Sequence, residues 1–198
     1  MLHQAVLKSL DISKMMTLLY TVVNEYAVLS HLKHQNIVKP VSIFLYQGHD
    51  GFVYGSLFIE YVEGTDLLTY ANSEKNSEAT ILKIIPNLVM IFEYLESKEV
   101  VHGDLKPENV MITRHGIVKL IDFGNACIGE GVQMQIRGSP DYLALEVLEK
   151  RYYSAKSDMY ALGVLIYLVI VKEYPQTLTR SIEERMKHIH DENLAGGL

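Results

Sequence analysis

The sequence predicts an α+β fold in two parts, and three observations carry that prediction. Before Tyr61, short runs rich in β-branched and aromatic residues flank one segment of helical period. Near the middle of the chain, Val110 to Leu120 reads as two short strands joined at Arg114-His115-Gly116. After Gly64 the long segments have helical spacing, and the last strong one contains an unbroken apolar run, Met159 to Val171.

Composition narrows the classes. With 198 residues the chain is one domain, or one and a small part, and 48% hydrophobic residues suffice for a sizeable core. The net charge of -6 is spread along the sequence with no basic stripe, so nucleic acid is not an expected partner. Cys127 is the only cysteine, which excludes an internal disulfide and suits a reducing compartment, cytoplasmic or nuclear. It reads as a small buried residue, with a redox role as the alternative. Met1 to Ser9 has no charged start followed by a long apolar run, so no secretory signal is expected. The run Met159 to Val171 is too short to span a bilayer and fits a buried core helix, so no membrane partner is expected.

In chain order, Gln4 to Lys8 reads as a short buried strand. Ser13 to Leu32 is a helix, with Leu18, Val22, Leu29 and Leu32 on one face. Glu25 interrupts that stripe and needs a partner. Lys8 is the best candidate, although a lysine near a chain end is also read simply as solvated. Val41 to Tyr46 and Tyr54 to Tyr61 are strands on either side of the turn His49-Asp50-Gly51. Asp66 is placed to cap a short helix starting near Leu67. After a polar break at Asn72 to Ser77, Glu78 to Lys98 reads as one long helix on Ile81, Ile85, Leu88, Phe92 and Leu95. Pro86 inside it predicts a kink at a cost of about 3 kcal/mol. Ser181 to Asp191 is a last amphipathic helix.

The chemistry concentrates in His102-Gly103-Asp104-Leu105-Lys106-Pro107-Glu108-Asn109, followed by Asp122-Phe123-Gly124. One loop can aim the Asp104 carboxylate at an incoming hydroxyl while its far end sets the Asn109 amide on a metal ion. The hairpin then returns the chain so that Asp122 can hold the same cluster. In order and in this strand context, the motifs resemble the catalytic and magnesium loops of the serine/threonine protein kinases. The resemblance runs from Lys8 to about Asp191. It implies a kinase-like fold of two lobes, a partial small lobe over 1–62 and a partial, mainly helical large lobe over 63–198.

The resemblance also implies roles. ATP and Mg²⁺ would be the cofactors, and proteins carrying Ser or Thr the substrates, with regulatory proteins as further partners. Asp104 would be the catalytic base, with a turn aspartate as the plain alternative. Lys106 would neutralise the γ-phosphate. Lys8, paired with Glu25, would hold the α- and β-phosphates. Asn109 and Asp122 would ligate magnesium, as oxygen donors suited to a hard cation. The backbone of Glu60 and Val62 would bond the adenine edge, with Ile59 as gatekeeper and Met111 as the floor. Asp66 would reach the ribose, compatibly with its cap. Ser139, in Gly138-Ser139-Pro140, stands where serine/threonine kinases place a threonine that contacts the catalytic aspartate and lysine. Asp158 would bond the backbone of the catalytic loop.

The sequence also departs from the family. Gly103 replaces the usual arginine, and Asn125 to Gly138 contains no Ser, Thr or Tyr. Both halves of a phosphate switch are therefore missing, and the site is expected to work without loop phosphorylation. Ala144-Leu145-Glu146 lacks the family's proline, Tyr160 replaces a tryptophan, and the last helices of the large lobe, with the arginine that usually pairs with Glu146, are expected to be missing. No Gly-x-Gly-x-x-Gly occurs, so the chain reads as truncated at both ends. Three readings remain: a serine/threonine kinase, a truncated pseudokinase acting as a nucleotide-binding or interaction scaffold, and an unrelated α+β domain.

Overall fold

A computed structural model describes residues 5–11, 16–47, 49, 53–129, 132–133 and 136–175, with side chains described for 21–47, 49, 54–129 and 136–175. The predicted helix Ser181 to Asp191 lies outside the described residues. The small part contains β1 (Ala5–Asp11), α1 (Met16–His31), β2 (Pro40–Gln47) and β3 (Val53–Glu60). The three strands form an antiparallel sheet in the order β1-β3-β2, with Lys8 opposite Leu57. Thus β1 runs past Lys8 to Asp11, where the sequence suggested an end at the lysine.

The larger part follows with β4 (Gly64–Asp66), α2 (Leu67–Asn72), α3 (Glu78–Leu82), α4 (Ile85–Ser97), β5 (Val100–Val101), β6 (Val110–Thr113), β7 (Val118–Leu120), β8 (Cys127–Ile128), β9 (Val132–Gln133), α5 (Leu145–Lys150), β10 (Tyr152–Tyr153) and α6 (Ala155–Val171). Three small sheets, β4-β6-β7, β5-β8 and β9-β10, carry its loops. Among the described residues no helix is long and apolar enough to cross a membrane.

Local chemistry explains the boundaries. The expected single helix from Glu78 to Lys98 is two helices, because the backbone breaks where the apolar period does not. Ser77 caps α3 by accepting from the Thr80 N–H, and Pro86 falls in the first turn of α4. In that position a missing N–H removes no helical bond, so the predicted kink and its cost do not arise. Helix α6 opens with a capping box in which Ser154 and Ser157 exchange side-chain and backbone bonds. It ends at Lys172, which has left-handed backbone with φ 66°, and whose ammonium donates to the Ala71 carbonyl.

One apolar core joins the two parts, with Val28, Leu57, Ile91, Leu120, Phe123 and Leu165 all buried. The segment after α1 is the seam. Asn36 donates Nδ2 to the Val118 carbonyl at 2.7 Å, and its own carbonyl accepts from the Leu120 N–H at 2.7 Å. Val38 N–H then donates back to the Leu120 carbonyl at 3.0 Å. The Lys33 N–H donates to the Tyr94 hydroxyl of α4 at 2.7 Å. Asn36 is buried, so losing its amide strands the Val118 carbonyl away from water. We expect Asn36→Ala to lower the unfolding free energy by about 1–3 kcal/mol, read as a reduced urea midpoint with unchanged slope; an unaltered midpoint would contradict this seam.

Candidate active site

The site is built on the link between β5 and β6. Asp158, in the first turn of α6, accepts from the His102 N–H at 2.6 Å and the Gly103 N–H at 3.0 Å. Its burial pushes the carboxyl upward, while the nearby His102 and the two amide bonds pull the other way. Those bonds fix the turn from which Asp104 departs. The Asp104 N–H donates to His102 Nδ1 at 3.3 Å, so the ring hydrogen belongs on Nε2, which lies 3.2 Å from the Ile121 carbonyl. The His102 ring meets Phe123 edge to face, with centroids 4.8 Å apart.

Asp104 uses its two oxygens differently. Oδ1 accepts from the Ser139 N–H at 2.9 Å and the Ser139 hydroxyl at 3.0 Å. Oδ2 has longer contacts, 3.4 Å to Asn125 Nδ2 and 3.5 Å to Lys106 Nζ. Lys106 also donates to the Ser139 hydroxyl at 3.1 Å. Ser139 therefore bridges the carboxylate and the ammonium, and Oδ2 is the oxygen with capacity for a further donor. Asn109 donates Nδ2 to the Asp104 carbonyl at 2.8 Å. That bond assigns the amide nitrogen inward and leaves Oδ1 as the atom able to meet a cation.

The second turn is locked to the first. The Ile121 N–H donates to the Asn109 carbonyl at 2.9 Å, while the Ile121 carbonyl meets His102. Asp122 follows with left-handed backbone, φ 63°, a conformation costing a non-glycine residue roughly 1–2 kcal/mol. Such strain persists only where the surroundings impose it. The Gly124 N–H lies 3.4 Å from Asp122 Oδ1. Glu25 of α1 is buried at 3% exposure, and its Oε2 lies 3.7 Å from the point a Cβ on Gly124 would occupy. Asn24 Nδ2 donates to the Ala126 carbonyl at 2.7 Å, so α1 is bonded directly to the segment after Asp122.

The remaining predicted residues lie around the link between the lobes. The Glu60 N–H donates to the Lys39 carbonyl at 2.8 Å, and its carboxylate is held by Lys119 Nζ at 2.8 and 3.0 Å. Val62 is half-buried against the core, Ile59 is buried, and half-buried Met111 sits opposite Asp66 across β4 and β6. Asp66 caps α2, accepting from the Thr69 N–H at 2.9 Å and the Thr69 hydroxyl at 2.6 Å. Burial alone would raise that carboxyl, but the Thr69 bonds outweigh it and hold it below the usual range. Lys8 has its backbone in β1, and its side chain, and with it the Lys8–Glu25 pair, lies outside the described residues. The structure thus brings Asp104, Lys106, Asn109 and Ser139 together, adjoins Asp122 to them and sets Glu25 beside Gly124.

Asn24, Asn36, Asn125 and Tyr153 also shape the site, and the motifs do not announce them. Each bonds a group at least sixteen positions away, mostly on the backbone. Among the described residues no three His, Cys, Asp or Glu side chains are grouped to hold a metal unaided. Two oxygen donors, Asn109 and Asp122, fit a hard cation that takes its other ligands from phosphate and water. Cys127 is buried, and burial with the nearby Asp158 carboxylate pushes its thiol up to about 11.

Two linked turns thus gather a carboxylate, an ammonium and two further oxygen donors on a two-lobed α+β frame. A protein kinase domain model matches residues 3–195, and the chain belongs to the protein kinase family. The mouse cAMP-dependent protein kinase catalytic subunit PRKX is 38% identical over 146 residues, which is 73% of this chain and 39% of that protein. A Caenorhabditis elegans protein, cAMP-dependent protein kinase, catalytic subunit-like, is 32% identical over 199 residues, 96% of this chain and 49% of the relative. The chain therefore spans less than half the length of these two relatives. The structure of the Cydia pomonella granulovirus kinase PK-1 superposes with a TM-score of 0.71 at 23% identity, over 92% of this chain and 66% of that one, a likeness of fold.

At pH 8 a thiol raised to about 11 is ionised in about one molecule per thousand, and the thiolate is the nucleophile. Iodoacetamide should leave Cys127 intact in the folded chain at pH 8 and label it within minutes in urea, as counted by intact mass. Equal labelling rates in the two states would contradict its burial.

Proposed function

We propose that this chain is a serine/threonine protein kinase, transferring the γ-phosphate of ATP to a protein hydroxyl with Mg²⁺ as cofactor. The observation that carries the reading is the Asp104–Ser139–Lys106 arrangement. A carboxylate oriented by two bonds from Ser139 keeps Oδ2 for an incoming hydroxyl, with an ammonium 3.5 Å away. Positioning and charge stabilisation supply most of the catalysis in this reaction class.

In this reading Asp104 accepts the hydroxyl proton at Oδ2 and aims the oxygen. Lys106 balances charge that develops between Asp104 and the transferred group. Asn109, through Oδ1, and Asp122 would hold the cation, whose chemistry when bound would be to offset charge on the phosphate oxygens. Lys8, paired with Glu25, would steady the α- and β-phosphates from the small lobe. The carbonyl of Glu60 and the N–H of Val62 meet the adenine edge, with Met111 beneath it. Asp66 offers an oxygen to the ribose while capping α2. Ser139, seated against Asp104 and Lys106, favours a Ser or Thr hydroxyl over the longer Tyr. The lobes are assigned as 1–62 and 63–198. Substrates are proteins bearing Ser or Thr, regulatory proteins are a further partner class, and the location is cytoplasmic or nuclear.

The test combines nucleotide binding with transfer. ATP should raise the melting temperature in a Mg²⁺-dependent way, and labelled phosphate should reach Ser or Thr of a generic basic protein. Asp104→Asn should cut transfer by about 10²–10⁴-fold while leaving the ATP-induced shift intact. Neither a shift nor transfer by the wild-type chain would overturn the reading; a shift without transfer would favour the scaffold alternative.

A further inference from the structure

The loop that carries Ser139 must be held against Asp104, yet the residues that would hold it through a phosphate are absent. Position 103 is glycine, and Asn125 to Gly138 has no hydroxyl to phosphorylate. Against Gly103 stands Tyr153, in β10. Its side chain is 1% exposed. Its ring lies against Gly103, with Cδ1 3.6 Å from where a Cβ on residue 103 would stand. Its hydroxyl accepts from the Arg137 N–H at 2.7 Å and donates to the Arg137 carbonyl at 2.7 Å. Both polar groups of one peptide residue are therefore taken by a single phenol.

The next contacts lead straight to the site. Gly138, φ 92°, runs so close to the catalytic loop that a Cβ there would meet the Gly103 carbonyl at 2.5 Å. Ser139 follows and makes its two bonds to Asp104. A narrow cleft behind Asp104 is lined by Gly103, Ser139, Tyr142, Tyr153 and Asp158, so the phenol belongs to the wall of the site. Backbone pairing of β10 with β9, Tyr153 opposite Val132, ties an earlier part of the same segment to the same strand. The phenol is uncharged: its burial pushes it further from ionisation, so at neutral pH it keeps the hydrogen it donates.

We propose that Tyr153 is a positioning residue that seats the Arg137–Ser139 segment on the catalytic loop, a neutral clamp serving where phosphate on the segment would otherwise be required. Gly103 adjoins the ring: a Cβ there would stand in ordinary contact with it at 3.6 Å, while the left-handed backbone of residue 103, φ 73°, and the Asn125 carbonyl at 3.0 Å are what favour glycine. The effect on turnover rests on the kinase reading above; the seating of the segment does not.

The experiment uses the full chain and Tyr153→Phe, which removes both hydrogen bonds and keeps the ring packing on Gly103. The first measurement is limited trypsin cleavage after Arg137, whose backbone must leave the phenol to enter a protease. The variant should be cut there about tenfold faster, with cleavage elsewhere and the melting temperature little changed. The second is steady-state transfer to a Ser-containing peptide after phosphatase treatment of both proteins. The variant should lose about tenfold in kcat with the KM for ATP unchanged, and phosphatase should not alter the wild type. Equal cleavage after Arg137 in the two proteins would overturn the clamp. An unchanged kcat, or a wild type inactivated by phosphatase, would overturn its role in turnover. Were the wild type to transfer no phosphate, the kinase reading would fail, and the protease comparison would still decide the clamp.

Discussion

The site depends on one buried carboxylate. Asp158 stands in the first turn of α6 and takes the N–H groups of His102 and Gly103. A buried charge of this kind is costly unless it is fully bonded. Here two amides bond it, and they belong to the very turn that must present Asp104. The helix in turn is fixed by Ala161, Leu162, Leu165 and Leu168, all buried in the main core. Packing energy from the core is thereby turned into placement of the loop that carries Asp104. From that turn outward, His102 reaches Ile121 and Phe123, and Asn109 reaches the Asp104 and Ile121 peptides. Both turns are referred to the same helix by side chains that bond main-chain groups, whose positions vary less than those of other side chains.

The Arg137–Ser139 segment is held without a charge that can be added or removed. A phosphate clamp is a switch because its charge can be added and removed. A clamp made from a buried phenol and a peptide residue has no such variable part. The sequence absence of hydroxyls between Asn125 and Gly138 and the bonds of Tyr153 to Arg137 describe one arrangement from two sides. On the small lobe, Asn24 bonds α1 to the Ala126 carbonyl, and Glu25 lies beside Gly124.

Much of this was legible in the sequence, and the reason is periodicity plus local motif. The α+β class, the hairpin turn at Arg114 to Gly116, the cap at Asp66 and the core helix after Lys156 all follow from residues near one another in sequence. Asp104, Lys106, Asn109 and Asp122 stand out because they fall in two short motifs of fixed spacing, and the structure brings the first three together with Asp122 adjoining them. The misreading of Glu78 to Lys98 is instructive: an apolar stripe continues across a break in the backbone, and the stripe alone does not reveal where Ser77 and Pro86 start new helices. Asn36 and Tyr153 were illegible for a different reason. Their partners are carbonyl and amide groups of the main chain, at Val118 and Arg137, and a main chain has no letter in the sequence.

The central claim is that Asp158 holds the catalytic loop through two amides. Native-state hydrogen exchange at His102 and Gly103 tests it most directly. In the wild-type chain both amides should exchange as slowly as that of Leu165 in the core of α6. In Asp158→Asn, which offers these amides one acceptor oxygen in place of two, at least one of them should exchange about 10–100-fold faster while Leu165 keeps its protection. Fast exchange at both sites in the wild type, or unchanged protection at both in the variant, would contradict the account.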